Sequence, residues 1–217
     1  MIPTEELAAI VTESTKKASI REWKAVQGDD SIPVYNYRLD HVKQVVALSE
    51  IIALEEGADL DVIRYSAWLH DIAKPGLGGI KEHAKKSAEM AQGILADRKV
   101  DPETIRRAAD TISKHAGLTL EERLSPIEAQ IIWEADKLSK LGVIGFVHHI
   151  INGLRLEPGM EIGDIAKSVR EFLPLAEEIS KSMYTRVAQQ IARERLEHLR
   201  NVSSFLDDEL RSHQGDV

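Results

Sequence analysis

Residues 66–76 read SAWLHDIAKPG, and the fold turns on this stretch. It continues the apolar, helically spaced segment that begins with LDVIRY at residue 60. Within it His70, Asp71 and Lys74 follow one another closely. A helix that only fills a core does not carry an imidazole, an acid and an amine without partners, because buried charge is costly unless paired or bound to metal. The three groups are either surface decoration or part of a cluster completed from elsewhere in the chain.

Working outward, the pattern is helical nearly throughout. VKQVVALSEIIALEEG (42–57) has apolar residues at helical spacing and stops at Gly57. KEHAKKSAEMAQGILADRK (81–99) reads as another helix. DPETIRRAADTISKHAG (101–117) opens with Asp101 as cap and Pro102 at the first helical position, and closes at Gly117. SPIEAQIIWEADKLSKLG (125–142) places Ser125 and Glu128 at capping-box spacing. Two further amphipathic stretches rich in charge occupy about 164–211. Alternating strands, internal repeats and low-complexity linkers are absent from the sequence. The glycine-rich loop 76–80, GLGGI, lacks the spacing of a phosphate cradle and has no strand before it, so it reads as a flexible turn. The expectation is an all-α bundle forming a single domain over 1–217, with a core at about 20–160 and a C-terminal helical extension at about 161–217.

Composition narrows the partners. The net charge of −8 argues against stable binding to a nucleic-acid backbone, which needs a surplus of Lys and Arg. It leaves room for a small phosphorylated ligand, because a metal ion and a few cations can dominate one pocket. No apolar run approaches the roughly 18–20 residues that cross a membrane. The opening MIPTEELAAIVTESTKK lacks the features of a secretory signal, and the chain has no cysteine. A cytoplasmic protein is the simplest expectation.

The histidines are informative by position. His41 falls near the start of its helix, His70 and Asp71 near the end of the next, His83 near the start of the third, and His115 at the end of the fourth. Asp136 lies in the apolar stretch IIWEADKL (131–138). Ends of packed helices can surround one cavity, and imidazole with carboxylate suits Zn, Mn, Fe, Ni or Co. Singly, each residue has an ordinary explanation. A His can be hydrogen-bonded filler, Asp136 can pair with a nearby lysine, and Lys74 can favour a helix C-terminus. As an ordered set on successive helices they are harder to dismiss.

In that order, His41, His70-Asp71, His83, His115 and Asp136, the chain resembles the HD superfamily of metal-dependent phosphohydrolases. YRLDHVKQVVALS (37–49), AWLHDIAK (67–74), EHAKKSAEMAQGIL (82–95) and EADKLSKLGVIG (134–145) are similar to that family's segments, and the tail from Met183 resembles the closing helix of stand-alone members. The resemblance implies an HD-domain helical bundle with its metal site between helix ends. It implies that His41, His70, Asp71 and Asp136 bind a first divalent transition metal, and that Asp71 bridges to a second held by His83 and His115. The chain departs from many relatives in having one histidine in SKHAG (113–117) and Glu134 where an aspartate is common.

Further roles rest on spacing. Lys74, three residues after Asp71, is expected on the same helix face, contacting a phosphate oxygen or charge that develops during reaction, so Asp71 and Lys74 are the candidate catalytic residues. Arg38, three residues before His41, could reach the phosphate with its fork or equally be a surface cation paired with Asp40 or another acid. Glu134 and Lys137 flank Asp136 and are expected to orient ligands. His148, His149, His198 and His213 are read as lying outside the cluster, and the apolar stripe of the last helices could support a homodimer. The leading function is hydrolysis of a small phosphorylated substrate, foremost a nucleotide, by metal-activated water. A di-iron oxygenase of the same superfamily and a non-catalytic metal- or ligand-sensing module are the alternatives.

Overall fold

The structure, a computed structural model, describes residues 1–24, 32–77, 79, 82–157 and 159–212. Among these residues the chain is helical and without strands: α1 (Thr4–Trp23), α2 (Tyr37–Glu56), α3 (Leu60–Leu69), α4 (His83–Asp97), α5 (Pro102–Ser113), α6 (Ile127–Leu138), α7 (Gly142–Leu156), α8 (Ile162–Lys181) and α9 (Arg186–Ser212). Gly78 and Ile80 of the loop 76–80, and His213, lie outside the described residues.

The helix ends follow the local chemistry. Gly57 closes α2 in the left-handed region at φ 66°. Asp59 caps α3 by accepting from the backbone of Asp61 and Val62, and Asp101 caps α5 by accepting from Thr104 N. Two expectations change. α3 stops at Leu69, so His70, Asp71 and Lys74 follow the helix in a turn closed by Lys74 N–H donating to Asp71 O at 2.8 Å. The Ser125–Glu128 box is replaced: Glu128 Oε1 instead accepts from Arg107 Nη2 at 2.7 Å and Asp59 N at 3.3 Å. A long-range cation offered this carboxylate a better partner than its own helix end. Helices α1 and α7 join those outlined by the sequence patterns.

The chain divides into two compact units, one of residues 1–117 with 122–136 and the other of 118–121 with 137–217. In the first, α3 packs against α1, α2, α4 and α5. It is buried nearly all round, with Val62, Ile63, Tyr65, Ser66, Ala67, Trp68 and Leu69 inside, which is the mark of a central rather than a surface helix. The residues that follow it are therefore delivered into the interior of the unit. In the second unit α9 packs on α7 and α8. There Arg195 Nη1 donates to the Leu138 carbonyl at 2.6 Å, close under Gly142, whose φ of +77° suits a residue without Cβ.

Arg107 joins the starts of α3 and α6, donating to Asp59 Oδ2 at 2.6 Å and Glu128 Oε1 at 2.7 Å. Glu128 is only 6% exposed, so losing its cation leaves a poorly solvated charge. Arg107→Ala is expected to cost about 1–3 kcal/mol in urea unfolding. Arg106, whose pair with Glu103 is solvent-exposed, is the control: Arg106→Ala should leave the midpoint unmoved. Equal effects would refute the clamp.

Candidate metal centre

The centre is assembled from helix ends within the first unit. His41 lies in the first turns of α2, behind the Asn36 cap that accepts from Leu39 N at 3.1 Å. His70 and Asp71 directly follow α3, His83 is the first residue of α4, His115 lies just past α5, and Asp136 stands near the end of α6. His41, His70, Asp71, His115 and Asp136 are buried, while the His83 side chain is 25% exposed and marks the open side.

Asp71 stands between two groups of histidines. Its Oδ2 lies 3.8 Å from His41 Nε2 and 3.7 Å from His70 Nε2. Its Oδ1 lies 3.5 Å from His115 Nε2 and 3.7 Å from His83 Nε2. His41 with His70 and Asp71, and Asp71 with His83 and His115, each bring three ligand atoms close enough to hold one ion. Asp136 Oδ1 lies 3.4 Å from His41 Nε2, at the edge of the first group. Five of the six candidate ligands expected from the sequence thus form the two groups, and Asp136 adjoins them beside His41.

Two rings are oriented by the same device. His70 Nδ1 is 2.7 Å from the Ala67 carbonyl, and His115 Nδ1 is 2.7 Å from the Ile112 carbonyl. A carbonyl only accepts, so each Nδ1 carries the proton and each Nε2 turns a lone pair inward. The acceptors belong to the last turns of α3 and α5, where helices have carbonyls to spare. His41 is backed by Tyr37, one helical turn earlier, whose ring stacks on it with centroids 5.9 Å apart. The rings then meet edge to face from His41 to His70, His115 and His83.

The electrostatics suit a cation. Burial pushes His70 down to about 4 against the pull of Asp71, and burial also lowers His83. These rings are neutral imidazoles at neutral pH. Burial alone would raise the Asp71 carboxyl, yet His70, His115, Arg38 and His41 together hold it well below the usual carboxylate range. Its Oδ1 is buried and accepts no hydrogen bond of ordinary geometry. Inward lone pairs facing a carboxylate oxygen are the donor set of a borderline transition metal, so the residues fit such an ion.

The remaining expected residues are placed as follows. Lys74 is half-buried in the turn after Asp71, and its charge contributes to depressing His83. Arg38 is buried and donates to Asp71 Oδ2 and, at 3.1 Å, to the Gly76 carbonyl. Glu134 is buried and accepts from Gln130 Nε2 at 3.0 Å, while Gln130 Oε1 accepts from Leu124 N at 2.7 Å. Lys137 is buried and belongs to the second unit. There too are His148, which is buried, His149, whose Nε2 is 2.8 Å from Ser168 Oγ, and the exposed His198. Sequence reading missed Tyr37, which its i, i+4 spacing to His41 could have revealed. It also missed the Ala67, Ile112 and Gly76 carbonyls, which no residue type betrays.

Comparisons agree with this architecture. The family model described as HD domain matches residues 38–141. The structure of Bacillus subtilis YpgQ in complex with ADP has a TM-score of 0.64 at 18% identity, covering 94% of this chain and 97% of that one. An HD-superfamily hydrolase from Bacillus thuringiensis gives 0.62 at 19% identity, with 98% of both chains covered. A predicted HD superfamily hydrolase from an uncultured Thermotogales bacterium gives 0.59 at 20%, covering 96% and 91%. At these identities the likeness is one of fold. No curated protein sequence matches the chain.

The burial of His70 has a pH consequence. Unfolded, its imidazole protonates near 6.5; folded, only near 4. Between these values the unfolded chain holds more protons, so stability falls as pH falls. His83 adds the same sign, whereas Asp71, held low, loses its contribution only further into acid. Chelator-treated protein is expected to lose about 2–3 kcal/mol of unfolding free energy between pH 7 and 4.5. A flat urea-denaturation profile across that window would contradict a neutral, buried His70.

Proposed function

From the match of residues 38–141 to the HD-domain model, we propose that the chain is a metal-dependent phosphohydrolase acting on a small phosphorylated substrate, foremost a nucleotide. The observation that carries the reading is one carboxylate, Asp71, shared by two groups of histidines. His41, His70, Asp71 and Asp136 would hold a first divalent transition metal, and Asp71, His83 and His115 a second. Such ions, when bound, supply Lewis acidity toward phosphoryl oxygens and a water acidic enough to react at neutral pH.

The protein's own part is orientation and charge. The proton fixed on Nδ1 of His70 and His115 keeps their Nε2 atoms available as ligands. Buried Asp71 stays ionised and sets the negative charge that holds cations there. Lys74, in the turn after Asp71, presents an ammonium where a substrate phosphate would arrive, favouring charge that develops on its oxygens. Glu134 steadies the helix end bearing Asp136 through Gln130. The nucleotide class is supported by the ADP complex of YpgQ, a protein of the same fold. A reducing, cytoplasmic setting accords with the absence of cysteine.

Asp71→Ala is expected to lower the metal content measured by elemental analysis from about two ions per chain to less than one. It should also abolish orthophosphate or pyrophosphate release from nucleotides while the helical circular dichroism persists. Full metal and activity in this variant would end the proposal. Iron in the purified protein together with oxygen uptake on a polyol or phosphonate would replace it with the oxygenase. Lys74→Ala should reduce kcat/KM about 10–100-fold with metal content unchanged; an unchanged kcat/KM would remove Lys74 from the substrate side.

A further inference from the structure

Arg38 is engaged in a way that its position in the sequence does not suggest. It sits on the first turn of α2, is 6% exposed, and donates from Nη1 to Asp71 Oδ2 and from Nη2 to the Gly76 carbonyl at 3.1 Å. Its guanidinium carbon also lies 5.4 Å from the Tyr37 ring centroid. A planar fork with two acceptors and an aromatic neighbour has little freedom left. The Gly76 acceptor is held in turn, because the next residue, Leu77, donates its N–H to Glu22 Oε1 at 2.6 Å. A Cβ at position 76 would meet that same oxygen at 2.5 Å. α1, through Glu22, thus steadies the turn after α3 that the α2 guanidinium binds.

The carboxylate it grips needs such a hold. The terminal torsion of an aspartate is soft and broad, so an Asp71 fixed only through its backbone could turn both oxygens toward one histidine pair. In the structure each oxygen faces its own pair, with separations of 3.5–3.8 Å. Resting on the metal reading above, we infer that Arg38 is a positioning residue: it locks the Asp71 carboxylate across the two histidine groups so that each receives one oxygen. It cannot also grasp a phosphate without leaving Asp71. Its charge works against a nearby divalent ion, so geometry and charge have to be separated experimentally. Lysine does this, keeping the charge but lacking a rigid fork that spans Asp71 and Gly76.

The test is calorimetric titration of metal-stripped full-length protein with Mn²⁺, for the parent, Arg38→Lys, Arg38→Gln and Glu22→Gln, with melting curves as the folding check. Hydrolysis of p-nitrophenyl phosphate at saturating Mn²⁺ is measured alongside. Arg38→Lys is expected to bind the second Mn²⁺ about 10–100-fold more weakly than the parent, with kcat reduced and KM within about twofold. Glu22→Gln, at a half-buried residue that accepts from Leu77 N and is not a candidate ligand, should weaken the same ion by about threefold, and it decides the matter should neither Arg38 variant fold. Parent-like binding of both ions in Arg38→Lys overturns the inference, as does tighter binding confined to Arg38→Gln, which would make Arg38 a charge and no more. A rise in KM above about tenfold with Mn²⁺ binding unchanged would make it a phosphate contact. A parent that binds no Mn²⁺ defeats the metal reading itself, whereas a parent with two ions and unaltered variants defeats only the role of Arg38.

Discussion

The structure of the first unit depends on making one buried negative charge tolerable. Asp71 is removed from water, which by itself would drive its carboxyl toward the neutral form. The carboxyl is nonetheless held low by the groups around it, His70, His115, Arg38 and His41, of which Arg38 alone carries a permanent charge. Remove the carboxylate and four inward-facing imidazoles lose the charge around which they are arranged. Remove the imidazoles and the interior holds an acid with Arg38 as its main support. The site and the local fold are in this sense a single problem in electrostatics.

Helix ends are where this problem can be solved. Side chains in the middle of a helix are crowded by their own turns and neighbouring helices, whereas ends from several helices can point at one small volume. An end also brings spare backbone carbonyls. α3 and α5 use them identically: each stops, and the histidine just beyond it turns Nδ1 back on the carbonyl three residues earlier. The capping requirement of the helix and the tautomer requirement of the ligand are met by the same bond. Because α3 is buried nearly all round, its end opens into the interior rather than onto solvent.

The second unit follows simpler rules. Its long helices carry exposed pairs such as Arg200 with Glu177 and Lys181 with Glu178, which keep a surface hydrated and contribute little to stability. Its more specific contacts are to backbone, with Arg195 on the Leu138 carbonyl and Tyr184 on the Glu121 carbonyl at 2.8 Å. The latter ties the short segment 118–121 to the start of α9.

Much of this was readable in one dimension because it depends on residue type and spacing. Helical periodicity, Gly57 as a stop, Asp101 with Pro102 as a start and the ordered histidines and aspartates are local signals, and the structure brings the six candidate ligands together. What spacing could not reveal were the choices made by competition between distant groups. Glu128 forsook its own helix end for Arg107 because a cation is a stronger partner than a backbone amide. α3 stopped at Leu69, placing Lys74 in a turn where an i, i+3 argument on helix faces does not apply. Arg38 bonded to Asp71 and Gly76, residues 33 and 38 positions away. Sequence alone determined which side chains were available for chemistry; tertiary structure decided which of them faced one another, because hydrogen bonds and buried charges are settled by proximity in space.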